Sequence, residues 1–114
     1  MKIKDLIKLL IPDGVLQYFE IIDIEDSEES VILHLEERNT PPKEYKSKKL
    51  TSKGFYEPIT VQDFPLRGRP THLKIRRRRW LVEESGEIVS RDWDLVAKGT
   101  RMTQEFASFL KEIS

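Results

Sequence analysis

Arg76, Arg77, Arg78 and Arg79 follow one another inside a stretch that otherwise reads as a β-strand, and this run constrains the fold more than any other feature. A strand sends alternate side chains to opposite faces. In Thr71–Val82, Leu73, Ile75 and Leu81 share parity with Arg77 and Arg79, whereas His72, Lys74, Arg76 and Arg78 share the other with Trp80. Four consecutive arginines therefore cannot all leave a sheet by one face. Either some reach round an edge on their aliphatic stems, or the strand runs past its sheet as a β-arm. The second parity set makes a basic face with an aromatic end. The first set begins in the core and turns polar towards Arg77.

The wider stretch from Leu66 to Leu81 holds Arg67, Arg69, Lys74 and Arg76–Arg79, seven of the chain's 20 Lys and Arg residues, and no acid. The whole chain has zero net charge, so this is a local concentration. Such a stripe is how a protein meets phosphate, because each cation that neutralises a phosphate releases condensed counterions. The sequence thus predicts nucleic-acid contact through Arg67, Arg69, Lys74, Arg76, Arg77, Arg78, Arg79 and Trp80. For Trp80, core packing stands against stacking on an unpaired base. For the arginines, the opposing reading is a solvated face paired with Glu83, Glu84 and Glu87. Surface pairs of that kind contribute about 0–1 kcal/mol each.

Around this stretch the chain reads as short elements. Ile3, Leu6, Ile7, Leu10 and Ile11 form one helical face over Lys2–Ile11, ended by Pro12. A turn at Asp13-Gly14 leads to a short helix through Tyr18. Phe19–Glu25 and Ser30–Glu37 read as an antiparallel hairpin, the second strand alternating Val31, Leu33, Leu35 against Ile32, His34, Glu36. Arg38–Gly54 reads as irregular, with Pro41-Pro42 forbidding regular pairing. Its five lysines make it a solvated surface loop by default, with a second phosphate-contacting segment as the alternative. Phe55–Phe64 reads as a strand whose Pro58 marks an edge or bulge. Glu83–Glu87 is a turn with Gly86 at the positive-φ position, and Ile88–Trp93 the returning strand. Thr103 is the expected N-cap of a helix over Gln104–Ile113, with Phe106, Phe109, Leu110 and Ile113 on its apolar face. The expected fold is α+β: one domain over residues 1–114, with a mostly antiparallel sheet of about five strands and an N-terminal and a C-terminal helix.

The chain has no cysteine and two distant histidines, His34 and His72, so disulfides, zinc and other metal or cofactor sites are not expected. No apolar run approaches a membrane span, and lysines interrupt the first eleven residues, so a soluble, cytoplasmic protein is expected. Asp63, Asp92 and Asp94 can be drawn as a metal-binding set. Asp63 is instead read as ordering the Phe64-Pro65 turn, and no nucleophile, base and oxyanion donors converge. The chain is read as a non-enzyme.

Gln62-Asp63-Phe64-Pro65-Leu66-Arg67-Gly68-Arg69, then Leu73-Lys74-Ile75 and Arg77-Arg78-Arg79-Trp80, then Lys98-Gly99-Thr100-Arg101-Met102-Thr103, resemble the N-terminal region of insertion-sequence transposases of the ISAon type. More distantly they are similar to the zinc-ribbon region of the ISL group. In that group an Arg-Arg-aromatic triplet, matched by Arg78-Arg79-Trp80, adjoins two Cys-x-x-Cys pairs, and no cysteine is present here. A relative lacking the zinc must hold the hairpin by packing alone. The resemblance implies a role at transposon ends: binding DNA, or docking a separately encoded catalytic transposase subunit. The catalytic carboxylates of such enzymes lie in a ribonuclease-H-like domain larger than this chain, so the resemblance implies an accessory piece.

Overall fold

The computed structural model describes residues 9–12, 14–92 and 102–113. Seven strands lie in two sheets with two helices, an α+β architecture that is mostly antiparallel. The expected N-terminal helix falls largely outside the described residues, as does Trp93. The short helix after it is present as α1 (Val15–Tyr18), and the C-terminal helix as α2 (Gln104–Ile113).

The larger sheet contains β1 (Phe19–Asp26), β2 (Val31–Glu37), β4 (Ile59–Leu66) and β5 (Arg69–Arg76), in the order β1-β2-β5-β4. β1 and β2 form the expected antiparallel hairpin, with a bulge at Ile22. β2 and β5 pair in parallel, Val31 opposite Thr71 and Leu35 opposite Ile75. Parity then builds the core. Val31, Leu33, Leu35 and Thr71, Leu73, Ile75 share the inner face with Val61, all buried. Ile11, Val15 and Phe19 pack on them from the N-terminal side. Burying a side chain of this class stabilises by about 1.5–3 kcal/mol before cavity effects.

The smaller sheet contains β3 (Leu50–Phe55), β6 (Arg78–Val82) and β7 (Ile88–Val89), in the order β3-β6-β7. Trp80, Val82 and Val89 form its apolar cluster with Tyr45 and Leu50.

Three expectations need correction here. Thr71–Val82 is two strands, not one: Arg77 interrupts it, and the chain passes from the larger sheet to the smaller. Phe55–Phe64 is likewise broken, at Tyr56–Pro58. Leu50–Gly54, expected as loop, is strand. The three share one cause. β3–β4 and β5–β6 are the arms of one long hairpin that bends where both arms change sheet. Pairing resumes across the bend after a register shift between Ser52 and Phe55, from Leu50 opposite Val82 to Ile59 opposite Ile75. Tyr56 N donates to the Arg77 carbonyl at 2.8 Å and holds the arms together at the corner. Strands that switch sheets at bends make such corners in packed β structures. This is also how four successive arginines are accommodated, since a break at Arg77 resets the alternation.

At the hairpin tip Arg67 (φ 55) and Gly68 (φ 79) both adopt left-handed backbone, the two-residue turn that matches strand twist. α2 is anchored beside β4. Thr103 N donates to the Gln62 carbonyl at 2.9 Å, and the Thr103 hydroxyl accepts from Phe106 N at 3.3 Å as the expected N-cap. The same hydroxyl donates to Asp63 Oδ1 at 2.8 Å. Asp63 is buried on the β4 inner face, so it fastens the C-terminal helix instead of ordering the Phe64-Pro65 turn. No helix among the described residues is long and apolar enough to cross a membrane.

Candidate nucleic-acid interface

The predicted DNA-contacting residues occupy three places. Arg67 and Arg69 are at the hairpin tip, Lys74 lies on the outer face of the larger sheet, and Arg76–Trp80 span the corner. Acids divide them further. Arg69 pairs with Asp26 and donates to the Ser27 carbonyl at 2.7 Å. Arg76 pairs with Glu36 at 3.0 Å, its neighbour across the parallel β2–β5 ladder. Arg77 donates to the Arg91 carbonyl. Arg78 Nε donates to the Glu37 carbonyl and one Nη to Ser52 Oγ, each at 2.8 Å. Arg67, Lys74 and Arg79 carry no ion pair among the described residues.

Two aromatic rings support the corner arginines. The Arg76 and Arg78 guanidinium carbons lie 4.1 and 4.6 Å from the Phe55 ring centre. That of Arg79 lies 5.8 Å from the ring centre of Tyr56. Contacts of this kind contribute about 0.5–1 kcal/mol at exposed sites. Their larger effect here is to limit where long, rotamer-rich side chains can point.

Trp80 is 1% exposed and belongs to the smaller sheet's apolar cluster, so it offers no face to a base. Its indole N–H donates to Glu37 Oε2 at 3.3 Å. Glu37 is the centre of a buried network that sequence reading missed. Its side chain is fully buried and pairs with Arg91 at 3.4 Å, itself 3% exposed. Its other oxygen accepts from Arg78 N at 3.1 Å. Arg91 also donates to the Thr40 carbonyl at 2.5 Å, and its guanidinium lies 4.1 Å from the Tyr18 ring centre. A signal existed: the alternation Val31, Leu33, Leu35 continues to Glu37, which puts a carboxylate on the buried face. A buried carboxylate demands a cationic partner, but nothing in the local sequence points to Arg91.

The β3–β6 pairing brings a second basic segment to the corner. Ser52 is opposite Trp80 and Phe55 opposite Arg78, so Lys53 lies on β3 alongside β6 and Arg79. Lys43, Lys46, Lys48 and Lys49 lead into that strand, all exposed. Of these Lys49 pairs with Glu83 at 3.5 Å, and Lys43, Lys46, Lys48 and Lys53 have no ion pair among the described residues. Glu83 also accepts from Thr51 at 2.6 Å, and this bond, with the nearby Lys49 charge, holds its carboxyl below the usual range. Glu44 is held low too, first by the Asp92 N–H at 2.8 Å and then by its own N–H. Glu83 is thus engaged by Thr51 and Lys49, and Glu44 by the Asp92 backbone, not by the arginines of the basic stretch. No family model, curated protein or solved structure matches this chain.

Proposed function

We propose that this chain is a non-catalytic, DNA-binding accessory domain of a transposase. One observation carries the DNA part of the reading. The pairing of β3 with β6 sets Lys53 alongside Arg79, and exposed Lys43, Lys46 and Lys48 lead into β3, all without ion-paired acids among the described residues. Arg67 and Lys74 extend this set along the hairpin, while Arg69, Arg76 and Arg78 are tied to acids, carbonyls and rings. Phosphates would meet the first group, and the second would shape the surface. The transposase part rests on the residue resemblance, and the ends of a mobile element are the DNA it implies. Contacts to phosphate position a protein without reading sequence.

The test is fluorescence anisotropy with a duplex at two salt concentrations. Each phosphate contact steepens the salt dependence, so removing one lowers the log–log slope by about 1. Lys46→Ala/Lys48→Ala/Lys53→Ala/Arg79→Ala should weaken binding and flatten the slope. Arg76→Ala should change it little, since that cation already faces Glu36. Absence of binding at low salt refutes the reading.

One observation favours a second reading, a module that docks a catalytic subunit. On α2, Phe106 and Phe109 both pack against Phe64, yet Phe109 and Ile113 remain 43% and 66% exposed. A helix with an unburied apolar edge of this kind suits helix-in-groove docking. The two readings are compatible, and a complex with the catalytic chain that forms without DNA separates them.

A further inference from the structure

The corner of the bent hairpin holds a cleft of about 220 Å³, lined by Tyr56, Glu57, Ile59, Ile75, Arg77 and Ser90. It exists because both arms change sheet at one level. Tyr56 and Glu57 belong to the bend of one arm and Arg77 to the bend of the other, with Ile59 and Ile75 at the end of the larger sheet. Ile75 is fully buried and forms a floor, whereas Tyr56 and Ile59 are 40% and 39% exposed and form open apolar walls. Glu57, Ser90 and Arg77 complete the lining, and the Arg77 guanidinium donates to the Arg91 carbonyl. The Tyr56 ring is also the one beneath Arg79, one of the cations free to meet phosphate. Arg79 therefore stands beside the cleft.

We propose that this cleft receives a single unstacked base from DNA whose phosphates lie on the adjoining cations. The inference rests on the DNA-binding reading and deepens it, by naming the form of DNA preferred. The size is the first argument: sites for drug-sized ligands run about 300–1,000 Å³, and this one has room for one planar ring system. The chemistry is the second. A nucleobase has apolar faces and a polar rim, which match an aromatic and aliphatic wall ringed by Glu57, Ser90 and Arg77. Stacking on one aromatic side chain tolerates any base. Position is the third, because Arg79 lies over the Tyr56 ring that lines the cleft, where it can meet the phosphate of a base seated there. Extracting a paired base costs a few kcal/mol, and less where the base is already unpaired. The cleft therefore selects DNA with a bulged, mismatched or frayed nucleotide over intact duplex.

Three DNAs test this by anisotropy at one salt concentration: a blunt duplex, the same duplex with one extrahelical thymidine, and that duplex with an abasic residue in its place. The full chain should bind the extrahelical base more tightly than the abasic site, by a factor of about 5 to 150, the range for one stacked base. A 2-aminopurine at that position should change fluorescence on binding. Tyr56→Ala should bring the ratio of the two affinities to about one, and Tyr56→Phe should keep it. Ile59→Trp, which fills the cleft from an exposed position, should also abolish the ratio. Equal affinity of the unaltered chain for all three DNAs, with salt-dependent duplex binding intact, overturns the base site alone. A ratio that survives both Tyr56→Ala and Ile59→Trp overturns it as well. No binding to any of the three overturns the DNA-binding reading with it.

Discussion

Replacing Glu37 by Gln tests whether the buried network holds the two sheets together. The carboxylate faces three donors: Arg78 N at 3.1 Å, the Trp80 indole at 3.3 Å and Arg91 Nε at 3.4 Å. Breaking a buried ion pair by removing one partner costs about 3–5 kcal/mol. A hydrogen bond to a charged group contributes about 1.5–3 kcal/mol. The three distances lie at or beyond the long end of the usual range, so the lower part of these ranges applies. Gln keeps the shape and one acceptor oxygen, but it turns an NH₂ towards a donor and leaves the Arg91 charge buried. We expect a loss of about 2–3 kcal/mol, a large share of the 5–15 kcal/mol typical of a domain. Urea unfolding followed by tryptophan fluorescence reads it directly, since Trp80 lies in the network. Arg91→Met should cost a similar amount, and Glu37→Met/Arg91→Met less than the sum of the single changes, because the double variant buries no lone charge. A loss under about 1 kcal/mol for Glu37→Gln, or strict additivity in the cycle, would refute the reasoning.

Three further predictions follow from particular contacts. Arg67→Asn should stabilise the chain by about 0.5–1 kcal/mol, because Arg67 holds φ 55 in a two-residue turn where Asn is preferred. A lower urea midpoint for the variant would contradict this. Thr103→Val should cost about 1–3 kcal/mol, since it removes both the cap on Phe106 N and the hydroxyl donor to buried Asp63. An unchanged midpoint would show that neither bond matters. Glu44 has its carboxyl held low by the Asp92 N–H. A folded-state value below the unfolded one stabilises above the ordinary carboxylate range, and that contribution is lost as pH falls from about 5 downwards. Glu44→Gln should therefore shallow the acid limb of stability against pH, and superimposable limbs would refute it.

The exposed cations and the exposed apolar edge of α2 enter the two proposed readings through different contacts, and neither depends on the buried network directly. On the proposed DNA-binding reading, Glu37 bears on the surface because it fixes Arg78 N and Trp80, and so the start of β6. A variant that loosens it should disturb the setting of Arg79 beside Tyr56 without altering any of the cations proposed to meet phosphate. Reduced DNA binding by a destabilised Glu37 variant is thus read together with its folding.

Elements whose signals are local were legible. The Val31–Glu37 alternation, the Phe19–Glu37 hairpin, the Thr103 cap and the Gln104–Ile113 helix each follow from side-chain period or cap chemistry over a few residues. The local excess of positive charge was also plain. Tertiary structure decided which cations remain available. Arg76 meets Glu36 only because β5 runs parallel to β2, a pairing between segments about 40 residues apart. Lys53 reaches the neighbourhood of Arg79 only because β3 pairs with β6. Nothing in Thr71–Val82 marks Arg77 as the point where a strand leaves one sheet for another, since the break depends on the opposite arm bending at the same level. Periodicity reports which face a residue takes within a strand, and it carries no information about the strand alongside. The choice between a free cation and a neutralised one, and the existence of a cleft at the corner, belong to that second kind of fact.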